Sequence, residues 1–256
     1  MQQQTPARVT GETVGIPVPG AAGPMAAYVS RPADGGPWPA VVVGFEMFGV
    51  TPYIRRIADR LAGLGLLAIV PDFYHRTAPG FSGVADAEGR ARGLDLIDRL
   101  TREEVGADLR AVLAHLEQRA DTAGRPSMAG FSLGGHLAYF AATQVPLAAV
   151  AAVYPGWLDV TGTALSRPEP VLALTPRIAE HGDCRVLYLV GADDHVATPD
   201  QSLQVEQRLT AAGVPHEVVV YPDTPHGFLA DERDTYRPAA AEDAWRRITA
   251  VLAPSA

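Results

Sequence analysis

The sequence predicts an α/β fold in which a mostly parallel central sheet carries helices on both faces. First, short apolar runs rich in β-forming residues alternate with helical patterns for most of the 256 residues. Second, several of these runs, such as AVVVGF, are almost continuously apolar, which is typical of strands covered on both faces. Third, the segment 11–30 alternates between apolar and polar residues more strongly, and this predicts an antiparallel edge.

The individual elements follow from these patterns in chain order. Apolar runs between turn residues predict strands at 23–30, 39–45, 66–70, 126–131, 147–154, 185–191 and 216–221. Apolar residues at helical spacing predict helices at 52–64, 102–119, 133–145, 200–212 and 236–252. Two long segments fit neither pattern. Residues 74–101 predict a loop with a short helix, and the proline-rich residues 155–182 predict a lid or binding loop.

Composition limits the domain organisation and the class of partner. With 47% hydrophobic and 20% charged residues, we expect a single domain over 1–256 with a flexible terminus at 1–10. A net charge of −8 without a basic run argues against nucleic acid or an anionic membrane as partner. The first residues lack the apolar core of a secretory signal, and no apolar run is long enough to span a bilayer, so we expect a cytoplasmic protein.

A glycine-flanked serine is the first candidate for chemistry. Residues 130–134, GFSLG, match the G-x-S-x-G pattern of a nucleophile elbow, and they lie between a predicted strand and a predicted helix. Small neighbours are needed because a serine at so tight a turn would otherwise collide with side chains two residues away. The alternative interpretation of Ser132 is a helix N-cap with glycines chosen for packing.

Candidate partners for Ser132 follow later strands. A serine hydroxyl needs a base to take its proton, and the base needs a third group to orient it. His226 follows the strand predicted at 216–221, and the pair Asp193 and Asp194 follows the strand at 185–191. The order serine, acid, histidine is the order expected for an elbow of this kind. Either aspartate satisfies the order.

The sequence offers little for a metal or a cofactor. No H-x-x-H or H-E-x-x-H spacing is present, and no G-x-G-x-x-G follows the first strands. We therefore expect neither a catalytic metal nor a cofactor.

Four stretches together resemble the dienelactone hydrolases of the α/β-hydrolase fold. They are the segment from GFEMFG to the PDFYHR loop, the GFSLGG turn, DHVATP, and YPDTPHGF with the helix that follows. The resemblance covers residues 11–252. It implies Ser132 as nucleophile, His226 as general base and acid, and, since DHVATP resembles the family's acid loop, Asp194 rather than Asp193 as the orienting acid.

The resemblance also implies the surroundings of the nucleophile. The amides of Met47 and Leu133 would form the oxyanion hole, and Glu46 would lie beside the nucleophile. Arg76 matches a family arginine that contacts a substrate carboxylate, although an ion pair with Asp72 or Glu46 is the alternative.

Two aromatic residues complete the candidate substrate site. Phe48 and Trp157 lie in segments expected at the mouth of the site, as pocket wall or as substrate contacts.

A buried carboxylate at Glu46 would need a cation or a donor near it.

Two positions depart from the family pattern. The dienelactone hydrolases carry cysteine where this chain has Ser132, and the task of their glutamate in managing a thiol has no obvious counterpart for a hydroxyl. Three roles stay open for Glu46: contact with substrate, contact with water, or holding the resting serine. A second carboxylate-binding arginine of the family would fall at position 230, which is Ala230, and this weakens the case for an anionic substrate.

We therefore predict a serine hydrolase that cleaves a small ester or lactone through an acyl-enzyme, as a monomer or a homodimer. Two alternatives stay open. The same residues could pass the acyl group to another acceptor, as in an acyltransferase or a biosynthetic cyclase, or the protein could be a non-catalytic binder on the same fold.

Overall fold

The computed structural model describes residues 8–253. Its strands are β1 (Val9–Ile16), β2 (Met25–Pro32), β3 (Trp38–Gly44), β4 (Leu67–Pro71), β5 (Thr122–Phe131), β6 (Ala149–Val153), β7 (Arg185–Gly191) and β8 (His216–Tyr221). Its α-helices are α1 (Pro52–Gly63), α2 (Ala87–Ile97), α3 (Arg102–Glu117), α4 (Leu133–Ala142), α5 (Pro176–Glu180), α6 (Pro199–Ala211) and α7 (Pro238–Leu252).

All eight of these strands join one sheet, in the order β1-β2-β4-β3-β5-β6-β7-β8. Strands β3 to β8 are parallel to one another, whereas β2 is antiparallel to both β1 and β4. The predicted α/β fold is confirmed, and the antiparallel edge predicted for 11–30 is the β1–β2 pair.

The central strands are buried because helices cover both faces of the sheet. Every residue of β4 and of β6 is buried, in keeping with their continuous apolar sequences. The covering helices begin at identifiable caps. Thr51 accepts a hydrogen bond from the amide of Ile54 at the start of α1, and Thr101 with Glu104 forms a capping box at α3. Within the described part of the chain, no helix is long and apolar enough to cross a membrane.

Parallel strands end on the same edge of the sheet, and this edge collects the candidate site residues. Glu46 follows β3, Ser132 follows β5 and Tyr154 follows β6. Asp194 follows β7, and His226 lies in the loop after β8. The carboxyl edge of an open parallel sheet is where ligands bind in such folds.

Three segments differ from the pattern-based prediction or extend it. Val9 and Thr10 already belong to β1, so the terminus predicted as flexible at 1–10 is wrong for these two; residues 1–7 lie outside the described part. The short helix predicted within 74–101 is the 11-residue α2, capped by Asp86. Segment 155–182 contains short 3-10 helices at Ala164–Ser166 and Val171–Leu174 before α5.

Candidate active site

Ser132 lies at a strained turn between β5 and α4. Its φ of 56° is in the left-handed region that non-glycine residues rarely adopt. The glycines on either side are required by the close approach of the backbone. A Cβ on Gly130 would lie 1.8 Å from the carbonyl oxygen of Gly134, and a Cβ on Gly134 would lie 2.0 Å from that of Gly44. The turn therefore has the geometry of a nucleophile elbow.

A continuous run of hydrogen bonds joins Ser132 to His226 and Asp194. The serine Oγ is 2.9 Å from His226 Nε2, and His226 Nδ1 is 2.8 Å from Asp194 Oδ2. The other carboxylate oxygen of Asp194 accepts hydrogen bonds from the amides of Val196 and Ala197, both at 2.8 Å. Asp194 is 3% exposed. An acceptor that is buried and fixed in this way can hold the imidazole in one orientation.

The geometry distinguishes between the two aspartates. Asp193 is exposed, and within the described residues its carboxylate has no hydrogen-bond partner, whereas its amide donates to the carbonyl of Thr224. The structure therefore brings together Ser132, His226 and Asp194, and it places the side chain of Asp193 outside this network.

The amides of Met47 and Leu133 are free to bind an oxyanion. Within residues 8–253, neither amide donates a hydrogen bond to another group. Leu133 is the first residue of α4, whose N-terminal amides carry a partial positive charge. Two unpaired donors beside the nucleophile can stabilise negative charge that develops on a carbonyl oxygen.

Glu46 is held by Arg233, a residue that the sequence analysis missed. Nη1 of Arg233 donates to Oε1 of Glu46 at 3.0 Å, and Nη2 donates to Oε2 at 2.5 Å. Glu46 is 3% exposed. Burial by itself would lower the pKa of Arg233, but the charge of Glu46 outweighs it and raises that pKa above its usual value. The cation expected near Glu46 is therefore present, from the loop that carries His226.

A cavity of about 260 Å³ lies above the sheet edge, and its lining includes Ser132, His226 and the Glu46–Arg233 pair. Apolar side chains form much of its wall: Met47, Phe48, Leu94, Trp157 and Val196. Phe48 and Trp157 thus lie where the sequence placed them, at the cavity. Arg90 of α2 and His195 are exposed at its rim.

Arg76, predicted as a substrate contact, lies elsewhere. It is absent from the cavity lining, and its Nη1 is 2.8 Å from Oδ2 of Asp108. Asp108 is fully buried on α3, and a buried carboxylate needs a cation, which explains where Arg76 points. Arg76 therefore forms an ion pair, as the alternative interpretation predicts, but the partner of Arg76 is Asp108 and not Asp72 or Glu46.

His136 fixes the loop that carries Trp157. It is buried in α4, and its Nδ1 donates to the carbonyl of Gly156 at 2.8 Å. Its Nε2 is buried with no partner in the described part of the chain. Burial lowers the pKa of His136 from 6.5 to about 4, so the imidazole is neutral at pH 7.

We expect this histidine to make the protein less stable in mild acid. Between pH 6.5 and pH 4 the unfolded chain binds a proton at His136 and the folded chain does not. The free energy of unfolding should therefore fall by about 1.4 kcal/mol per pH unit as the pH drops through this window. His136→Asn keeps a donor for Gly156 and removes the titration. Urea unfolding at pH 4.5 and pH 7 should show a smaller loss in this variant; equal losses would contradict the assignment.

Comparison with known proteins gives a consistent result. The model of the dienelactone hydrolase family matches residues 25–255. A protein of Synechocystis sp. named "Putative carboxymethylenebutenolidase" is 33% identical over 231 residues, which cover 88% of this chain and 89% of that protein. The carboxymethylenebutenolidase of Rhodococcus opacus is 32% identical over 86% of this chain and 82% of its own length.

A solved structure matches over the whole fold. The crystal structure described as a "Putative Dienelactone Hydrolase" from Klebsiella pneumoniae has a TM-score of 0.85 and 31% identity, covering 97% of this chain and 100% of that chain. The resemblance seen in the sequence is confirmed. The chain belongs to the dienelactone hydrolase family and is a hydrolase of the ester and lactone class.

Proposed function

We propose that this protein hydrolyses a small ester or lactone with Ser132 as nucleophile, His226 as general base and acid, and Asp194 as the orienting acid. The observation that carries the proposal is the run of hydrogen bonds from Ser132 Oγ through both ring nitrogens of His226 to Asp194, at 2.9 and 2.8 Å. A serine becomes nucleophilic when a base is held at hydrogen-bond distance in this way.

The first half of the reaction forms an acyl-enzyme. Oγ of Ser132 attacks the carbonyl carbon while His226 Nε2 takes the hydroxyl proton. The negative charge on the carbonyl oxygen is bound by the amides of Met47 and Leu133, each of which contributes roughly 3 kcal/mol of barrier lowering. The tetrahedral intermediate collapses, and the imidazolium gives its proton to the leaving alkoxide. In a lactone, this alcohol stays attached to the acyl group.

The second half regenerates the serine. A water molecule attacks the acyl carbon as His226 Nε2 takes one of its protons, and the same amides bind the second oxyanion. Collapse releases the carboxylic acid, and the proton returns from Nε2 to Oγ. Asp194 keeps the Nδ1–H tautomer in place through both halves.

The cavity favours an apolar acyl group with an anionic substituent toward the rim. Its wall is largely apolar, and the exposed guanidinium of Arg90 has no carboxylate partner within the described part of the chain. This arginine can offset the absence of a cation at Ala230, since a carboxylate at the rim would meet it.

We expect Arg90→Gln to raise KM about 3- to 10-fold for an ester with a free carboxylate, and to leave KM for the neutral methyl analogue unchanged. The effect is modest because the guanidinium is solvated. Arg92→Gln is the matched control, since Arg92 lies on the same helix and pairs with Asp95. Equal shifts for both substrates would exclude charge recognition by Arg90.

The proposed activity is tested by following activated short-chain esters and a lactone in parallel. The native enzyme should release the free acid at rates that Ser132→Ala loses. Product analysis in the presence of an alcohol or amine acceptor separates hydrolysis from acyl transfer. No turnover and no labelling of Ser132 by a fluorophosphonate would favour the non-catalytic alternative.

A further inference from the structure

Tyr154 occupies a backbone position that a tyrosine rarely adopts. It follows β6 directly, with a φ of 40° in the left-handed region, and its amide donates to the carbonyl of Leu189 at 2.6 Å. Its side chain is completely buried. A strained, buried aromatic residue persists only where the surroundings hold it, and such residues cluster at functional sites.

The ring of Tyr154 packs against the imidazole of His226. The two ring centroids are 5.0 Å apart and the planes meet at 62°, an edge-to-face arrangement. The Tyr154 ring also packs near two phenylalanines: its centroid is 5.4 Å from that of Phe228 and 6.5 Å from that of Phe131. The tyrosine ring therefore has little freedom to move away from the histidine.

The hydroxyl of Tyr154 is close enough to Tyr53 and Glu46 to interact with them electrostatically. Burial raises its pKa well above the usual value, and the neighbouring Tyr53 and Glu46 add to this rise. The hydroxyls of Tyr53 and Tyr154 lie close enough to affect each other's ionisation, but neither has a hydrogen bond of ordinary geometry within residues 8–253. The contacts that fix the side chain of Tyr154 within the described part of the chain are therefore those of its ring.

The end of β6, directly before Tyr154, also supports the nucleophile. The carbonyl of Val153, the residue before Tyr154, accepts a hydrogen bond from the amide of Ser132 at 3.0 Å. The last residue of β6 and the strained residue after it thus contact the serine backbone and the imidazole that must accept the serine proton.

We propose that Tyr154 is a positioning residue that fixes the ring plane of His226. This inference rests on the proposed role of His226 as general base. The hydrogen bond to Asp194 fixes one ring nitrogen, but the imidazole can still swing about that contact. The edge-to-face contact with Tyr154 supplies the second constraint that keeps Nε2 at 2.9 Å from the serine Oγ. Loss of that alignment slows proton transfer without weakening substrate binding.

The test compares Tyr154→Phe with Tyr154→Leu, measured as kcat and KM on an activated ester and as the rate of Ser132 phosphonylation by a fluorophosphonate. Phenylalanine and leucine are both non-glycine residues without a branch at Cβ, so the positive φ costs both about the same and their difference isolates the ring. Tyr154→Leu should lower kcat and the phosphonylation rate about 10- to 100-fold, with KM within about 3-fold. Tyr154→Phe should keep kcat and the phosphonylation rate close to their native values.

Phe140→Leu is the control for the loss of a buried ring. Phe140 is 1% exposed on α4, lies beside Arg102, and does not line the cavity that contains Ser132 and His226, so this variant should lower Tm and leave kcat unchanged. If Tyr154→Leu does not fold, Tyr154→Met replaces it in the same comparison.

Three outcomes decide the inference. A kcat for the Leu variant within 2-fold of the native value would overturn it. A loss in Tyr154→Phe as large as in Tyr154→Leu would also overturn it, because the hydroxyl and not the ring would then matter. If the native enzyme neither turns over the ester nor reacts with the fluorophosphonate, the proposed function itself has failed.

Discussion

Replacing His226 by alanine is expected to lower kcat for a short-chain activated ester by about 10⁴- to 10⁶-fold. The reason is that His226 Nε2 is the acceptor at 2.9 Å from the Ser132 hydroxyl, and an alanine leaves that proton with no base. Substrate binding should change little, because the cavity wall is formed mainly by other side chains. Steady-state assays at pH 7.5 measure both parameters.

A second histidine provides the matched control. The ring of His195 also lies at the cavity, 6.4 Å from that of His226, but it is exposed and takes no part in the run of hydrogen bonds. His195→Ala should change kcat by less than about 10-fold, because no proton is routed through it. A large loss of kcat in His195→Ala together with a small loss in His226→Ala would show that His195 is the base and would contradict the assignment of His226.

Replacing Arg233 by methionine is expected to destabilise the protein by about 3 kcal/mol or more. This change leaves the carboxylate of Glu46 buried, with 4% of its side chain exposed, and without the two hydrogen bonds that Arg233 donates. An uncompensated buried charge costs far more than the lost ion pair gives. Denaturant unfolding at pH 7.5 measures the change in the free energy of unfolding.

The double variant separates the charge effect from loss of packing. Glu46→Gln removes the unpaired charge, so in combination with Arg233→Met it should recover much of the lost stability. Arg56→Met is the control, because its pair with Glu232 is half exposed and should contribute less than about 1 kcal/mol. A double variant that is as unstable as the sum of the single ones would show that the pair does not act as a unit.

This pairing also narrows the open question about Glu46. Both of its carboxylate oxygens are engaged by Arg233, which comes from the loop that carries His226. We infer that Glu46, through Arg233, ties the loop of Met47 to the loop of His226. Under this inference, Arg233→Met frees Glu46 without raising kcat.

The sequence could predict the fold because the fold depends on local patterns. Continuous apolar runs marked the buried parallel strands, and the alternating segment 11–30 marked the antiparallel β1–β2 edge. The GFSLG turn could be recognised because backbone contact as close as that between Gly130 and Gly134 permits only glycine.

The cations around the site could not be assigned in the same way. Arg76 and Arg233 both lie in loops, and whether either reaches the cavity depends on which buried carboxylate it meets in the folded chain. Asp108, on a helix, takes Arg76, and Glu46 takes Arg233, seven positions after His226 and not the four that the family pattern suggests. Helix α2, which brings Arg90 to the rim, contains two glycines and only weak periodicity, so the pattern predicted a shorter element.

The central claim is that Ser132 carries the acyl group, and rapid-quench mass spectrometry tests it most directly. The native enzyme is mixed with an activated ester, quenched within milliseconds, digested and mapped. The account predicts an acyl adduct on the peptide that contains Ser132, which forms before steady state and is absent in Ser132→Ala. Turnover without any adduct, or an adduct on another residue, would contradict it.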